Sequence, residues 1–178
     1  MTKMNYNDVS CCFTGHRKLP SDKLDQIRRR VSAEIERAYQ GGYRRFLCGG
    51  ALGFDTLCAL EVIEKRKVYA DMRLILVLPC LSQDEQWSEQ DRLVYRSIYA
   101  ESDECYCMSE FYSEGCMHLR NRAMVDDCSL CICYLENFKS GTSYTYNYAK
   151  KSGLVIINTA NVDLNTIEGE YEDENDED

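Results

Sequence analysis

VSCCFTGHRKLPSDKLDQIRRRVSAEIERAYQGG, residues 9–42, decides the fold. Val9 to Thr14 is a short apolar run of strand length, and it stops at Gly15-His16-Arg17. From Ser21 to Gln40 the apolar residues Leu24, Ile27, Val31, Ile35 and Ala38 recur with the spacing of one helix face. Ser21 after Pro20 reads as the helix N-cap, and Gly41 and Gly42 as its stop. A strand that feeds a helix through a short polar loop is the repeating unit of an α/β sheet.

The unit recurs along the chain. Arg45 to Cys48 reads as a strand, Phe54 to Tyr69 as a helix, and Met72 to Leu78 as a buried strand ended by Pro79. Glu85 to Ala100 (helix), Glu104 to Met108 (strand), Met117 to Asp127 (helix), Leu130 to Leu135 (strand), Ser143 to Lys151 (helix) and Leu154 to Asn158 (strand) complete the series. Such alternation argues for right-handed crossovers. The expected fold is α/β: a Rossmann-like, doubly wound, mostly parallel sheet with helices on both faces.

Composition narrows the class. With 178 residues and 44% hydrophobic content, one domain over residues 1–160 is expected. Residues 168–178, EGEYEDENDED, hold eight of the 30 acidic side chains, and without them 22 acidic residues face 21 basic ones. The net charge of −9 therefore belongs mainly to a C-terminal segment, 161–178, expected to be disordered and solubilising. A near-neutral body lacks the basic surplus of nucleic-acid binders, so nucleic acid is not the expected partner. The longest apolar runs, such as Leu74 to Leu78, are too short to span a bilayer, and no basic-then-apolar leader opens the chain; a cytoplasmic protein is expected. Eleven cysteines, an odd count spread through apolar runs, read as reduced core residues. Cys131 and Cys133 alternate onto one face of a strand, so Cys128, Cys131 and Cys133 do not suggest zinc, and no metal or cofactor is expected.

In doubly wound sheets ligands bind beyond the carboxyl ends of the strands. Three loops fall there: Thr14-Gly15-His16-Arg17, GGALGFD (49–55) and Ser140-Gly141-Thr142. Gly49, Gly50 and Gly53 permit tight turning and close approach to a ligand, the plainer alternative being an ordinary strand-to-helix turn. The helices that follow offer free N–H groups and a positive dipole end to a phosphate or carboxylate. GGALGFD is not G-x-G-x-x-G, and GKS or GKT is absent, so neither a nicotinamide fingerprint nor a P-loop is supported.

TGHR, GGALGFD, Trp87 after PCLSQDEQ, RNRAMVD (120–126) and SGTSYTYNYA (140–149) together resemble the YpsA-like family of the SLOG superfamily, in order and spacing over residues 9–158. The resemblance implies a pocket for a nucleotide or nucleotide-derived ligand and favours a homo-oligomer or a protein partner. The superfamily also contains the LOG phosphoribohydrolases and the DNA-processing protein DprA. MHLRNRAM (117–124) is similar to the LOG segment that supplies a catalytic arginine, which falls on Arg120. LOG enzymes place glutamates just after their glycine loop, whereas here Ser143, Tyr144 and Thr145 follow, and no motif puts Glu136 in their stead. Binding or sensing is therefore the expected role. Nucleotide hydrolysis is the alternative, and single-stranded DNA binding as in DprA a weaker third.

Individual residues carry two readings each. Arg17 and Arg120 suit two parallel hydrogen bonds to a phosphate or ribose, or else an intramolecular ion pair. Asp55 suits a ribose hydroxyl or the second helix's cap, Asn121 a base or a neighbouring loop, and Ser140 and Thr142 a phosphate or a cap. His16 suits ligand contact, with proton transfer or a bond to a nearby loop as alternatives; His118 reads as structural. Trp87, Tyr95 and Tyr99 form one aromatic stripe and Tyr144 with Tyr148 another, suited to core packing against the sheet or, for Trp87 and Tyr144, to stacking on a base.

Overall fold

A computed structural model describes residues 6–160; the acidic segment 161–178 lies outside the described residues. Six parallel strands, β1 (Ser10–Gly15), β2 (Arg45–Cys48), β3 (Arg73–Leu78), β4 (Glu104–Cys107), β5 (Leu130–Tyr134) and β6 (Val155–Asn158), form one sheet in the order β4-β3-β2-β1-β5-β6. Between them run α1 (Leu24–Gln40), α2 (Phe54–Arg66), α3 (Glu89–Glu101), α4 (Cys116–Asp126) and α5 (Gly141–Lys151). This is the expected Rossmann-type α/β fold.

Alternation along the strands builds two cores. Phe13, Phe46, Leu76 and Ile132 face α1, α2 and α3, where Ile35, Cys58 and Ile98 meet them. Cys12, Leu47, Val77 and Cys131 face the other way, against Met124 and Val125 of α4 and Tyr146 and Ala149 of α5. Central strands covered on both faces read as unbroken apolar runs, and RLILVL of β3 is buried in all but its first residue. Each fully buried Phe or Leu adds roughly 2 kcal/mol of driving force. At the sheet edge, β4 is mostly exposed. Nine of the cysteines are buried, all eleven are free, and the exceptions Cys105 and Cys107 lie on that edge strand. Among the described residues no helix is long and apolar enough to cross a membrane.

Three local expectations change. Ser21 does not cap α1: it opens a 3-10 turn over Ser21–Lys23, and α1 follows with no side-chain cap. α3 begins later than the pattern suggests, because Ser88 caps it by accepting from the Asp91 N–H at 3.1 Å, which leaves Trp87 in the preceding turn. Trp87 packs edge-on to the buried Tyr95, with ring centroids 5.3 Å apart, while Tyr99 is exposed. On α5 it is Tyr146 that is buried against the sheet; Tyr148, partly buried, packs against the same core as expected, and both Tyr144 and Tyr148 lie beside Arg122 of α4.

The chain leaves β1 toward β2, β3 and β4, then returns across the sheet to β5. That reversal opens a crevice beyond the carboxyl ends of β1 and β5, which pair as far as Gly15 and Tyr134.

Candidate functional site

A cleft of about 250 Å³ occupies this crevice. β1 contributes Thr14, Gly15, His16 and Arg17, the second loop and α2 contribute Ala51 and Asp55, and α5 begins in it with Ser140, Gly141 and Thr142. α4 brings Arg120 and Asn121, and with them Met117 and His118, which the sequence reading had not placed at the site. Helical spacing carried that signal, since residues three and four apart share a face and 117 stands so relative to 120 and 121.

Gly49, Gly50 and Gly53 stand behind the lining, where they pack the loops on one another. A Cβ on Gly53 would lie 2.3 Å from the Arg17 carbonyl oxygen and 2.6 Å from that of His16. With φ +76° and ψ −116° the residue also holds a conformation that side chains disfavour. The Phe54 N–H donates to the His16 carbonyl at 3.1 Å. At Gly15 a Cβ would lie 2.3 Å from the Phe54 ring, so the first two loops meet with no room for a side chain between them.

His16 is tied to the third loop. Its Nε2 accepts from the N–H groups of Glu136 at 3.0 Å and Asn137 at 3.2 Å. A nitrogen that accepts twice carries no proton, so the ring is neutral with its hydrogen on Nδ1. Burial lowers its pKa, against the opposing pull of the Glu136 carboxylate. Of the readings given to His16, the bond to a nearby loop is the one the structure displays, and Nε2 is committed to it.

Arg120 is only 4% exposed. Its Nε donates to Asn121 Oδ1 at 2.7 Å, and Nη1 donates to the carbonyls of Gly49 and, at 3.4 Å, Val77. Asn121 thus holds the guanidinium, which pins the ends of β2 and β3. Asp55 sits at the second position of α2, where Gly53 is the cap residue, and its Oδ2 accepts from the Ala51 N–H at 3.2 Å. Burial raises the Asp55 pKa, and the positive charges of Arg120 and Arg17 with the Ala51 N–H work against that rise. Burial likewise pushes Arg120 down while Asp55 pulls it up, so the two charges sustain each other in the cleft floor.

Other polar groups of the cleft remain free. Arg17 is exposed, forms no ion pair among the described residues, and its guanidinium donates only to Met117 Sδ, at 3.9 Å. Thr14 and Thr142 are 7% and 8% exposed, and neither hydroxyl has a hydrogen-bond partner among the described residues. Ser140 is the α5 cap residue by position, yet its hydroxyl donates to the Asn137 carbonyl at 2.7 Å instead of capping. The N–H groups of Gly141 and Thr142, which begin α5, have no acceptor among the described residues, whereas that of Ser143 donates to the Ser140 carbonyl at 3.0 Å; both residues line the cleft, and a Cβ on Gly141 would meet nothing within 4 Å. Among the described residues no cluster of His, Cys, Asp and Glu is suited to hold a metal ion.

The arrangement matches known proteins at three levels. The model of the YspA SLOG family (YpsA) matches residues 12–167. The SPbeta prophage-derived protein YoqJ of Bacillus subtilis is 30% identical over 122 residues, 62% of this chain and 71% of that protein. A UPF0398 protein of Bacillus anthracis is 27% identical over 130 residues, 71% of this chain and 68% of its own. Among solved structures, DprA of Streptococcus pneumoniae superposes with a TM-score of 0.60 at 15% identity, over 85% of this chain and 50% of that one. DprA of Helicobacter pylori, whose single-stranded DNA binding mode that structure describes, gives 0.60 at 19% identity over 88% and 67%. At such identity the likeness is one of fold, and the chain spans half the length of the pneumococcal protein.

Proposed function

Starting from a chain that belongs to the YspA SLOG family, we propose that it binds a nucleotide or nucleotide-derived ligand in the cleft and acts through that binding. The carrying observation is the set of unpaired groups in the cleft: the Thr14 and Thr142 hydroxyls, the Arg17 guanidinium and the N–H groups of Gly141 and Thr142. Donors of this kind around a helix N-terminus suit a phosphate group, which takes several hydrogen bonds and one or two positive charges. Asp55, Arg120 and Asn121 hold the floor, and His16 holds the third loop, so the ligand meets a formed site. The near-neutral composition of the body favours a mononucleotide over a strand such as DprA binds.

A second reading rests on Asp55. LOG-type cleavage needs a carboxylate, which is missing just after the Ser140-Gly141-Thr142 segment, where Ser143, Tyr144 and Thr145 stand, and Asp55 brings one into the same cleft as Arg120. A thermal-shift screen with AMP, ADP, ATP, NAD, ADP-ribose and ribose 5-phosphate, with chromatography of each mixture, tests both. Stabilisation lost in Arg17→Ala with the nucleotide recovered intact supports binding. Release of free base, abolished in Asp55→Asn, supports hydrolysis. No shift with any nucleotide or with ribose 5-phosphate refutes the pocket.

A further inference from the structure

His118 occupies the first turn of α4, lines the cleft, and remains exposed. Its ring centroid lies 4.1 Å from that of Tyr144, the planes at 53°. Tyr144 is fixed in turn by Arg122, one helical turn beyond His118, which donates through Nε to the Tyr144 hydroxyl. The same guanidinium carbon stands 5.5 Å from the Tyr144 ring centroid and 5.4 Å from that of Tyr148, whose hydroxyl donates to Asp126 at 2.7 Å. The imidazole, which lines the cleft, is therefore backed by a tilted and braced tyrosine ring.

We infer that the His118–Tyr144 stack is the platform for a nucleobase, so that the ligand is a phosphorylated nucleoside and not a bare phosphate or sugar phosphate. The inference rests on the nucleotide-binding reading above and specifies its ligand. His118 and Thr142 line the same cleft, so the phosphate donors and the imidazole that Tyr144 backs are open to one ligand. An aromatic face takes any base, because every base has a π face, and stacking needs no particular hydrogen-bonding edge. Trp87, the other candidate for stacking, does not line the cleft and is committed edge-on to Tyr95.

The test compares AMP with ribose 5-phosphate by calorimetry on the wild type, His118→Ala and His118→Phe. Because His118 is exposed, both variants keep the fold, which a thermal melt confirms. The wild type should bind AMP about tenfold or more tightly than ribose 5-phosphate, a ratio set by stacking. His118→Ala should bring that ratio near one and leave ribose 5-phosphate affinity unchanged, whereas His118→Phe keeps the preference. If ribose 5-phosphate binds and the AMP ratio is the same in wild type and His118→Ala, the platform is refuted and the anion pocket stands. If neither ligand binds the wild type, both readings fall. A 5′-phosphorylated oligo-dT arm identifies the source of the base: tighter binding than AMP with the same His118 dependence assigns the stack to a strand, and weaker binding assigns it to a free nucleotide.

Discussion

Replacing Gly53 with alanine sets two separable costs against the junction of the first two loops. The residue sits at φ +76°, ψ −116°, for which an L side chain costs about 1–2 kcal/mol. The new Cβ would stand 2.3 Å from the Arg17 carbonyl oxygen and 2.6 Å from that of His16. Both are backbone atoms, one of which holds the Phe54 N–H, so the loops must part; overpacking of this kind costs about 1–3 kcal/mol. The sum, about 2–5 kcal/mol, corresponds to roughly 4–20 °C in Tm for a chain of this size. Two other glycines dissect it. Gly115 has φ +79° with nothing within 4 Å of its Cβ position, so Gly115→Ala carries the conformational cost alone, about 1 kcal/mol. Gly141 has neither constraint, and Gly141→Ala should leave stability within about 1 kcal/mol of wild type. Urea and thermal melts of the three variants should rank them Gly53, Gly115, Gly141 in falling damage. A Gly53→Ala protein no less stable than Gly115→Ala would refute the argument that the loops are locked by close approach.

Other substitutions separate fastening from ligand contact. Arg17→Ala should change stability by less than about 0.5 kcal/mol, since the side chain is exposed and unpaired, while abolishing nucleotide-induced stabilisation in a thermal-shift assay. Arg120→Met should cost about 3 kcal/mol in a urea melt, because it strips the Gly49 carbonyl and Asp55 of a buried partner, and adding Asp55→Asn should recover part of the loss. His16 has a lowered pKa in the folded state, so the unfolded chain takes its proton first as pH falls below 6.5; the stability it contributes is complete above that value and declines through the window beneath it. Melts at stepped pH should show that decline in wild type and its absence in His16→Gln. In a thiol titration of native protein, Cys105 and Cys107 should react promptly and the nine buried cysteines only on unfolding.

The sequence disclosed elements that depend on near neighbours. A buried strand such as RLILVL and a helix such as α1 are recognisable because burial repeats every residue or every third and fourth, and the Rossmann-type order follows from their alternation. Helix starts were less legible where two capping schemes competed: Ser88 captured the N-terminus of α3 from the residues before it, and no side chain caps α1 at Ser21. The partners of the site residues were not legible at all. His16 bonds a backbone 120 positions away, and Arg120 bonds carbonyls 71 and 43 positions away. Backbone acceptors have no residue type, so nothing in the sequence marks them.

That difference sorts the cleft residues by what they still have to offer. A donor or acceptor already satisfied in the folded chain gains little by meeting a ligand, because the exchange swaps one hydrogen bond for another. Arg120 Nε and Nη1 are satisfied by Asn121 Oδ1 and by the Gly49 and Val77 carbonyls, Asp55 Oδ2 by the second loop, and His16 Nε2 by the third. The Arg17 guanidinium has no oxygen acceptor and the Thr14 and Thr142 hydroxyls no partner among the described residues, and they line the cleft with the N–H groups of Gly141 and Thr142. Because the fasteners order the loops before any ligand arrives, binding spends little free energy on ordering them. Substitutions among the fasteners should therefore weaken stability and affinity together, whereas substitutions among the unpaired groups should weaken affinity alone, and the two sets are distinguishable by measuring both quantities on the same variants.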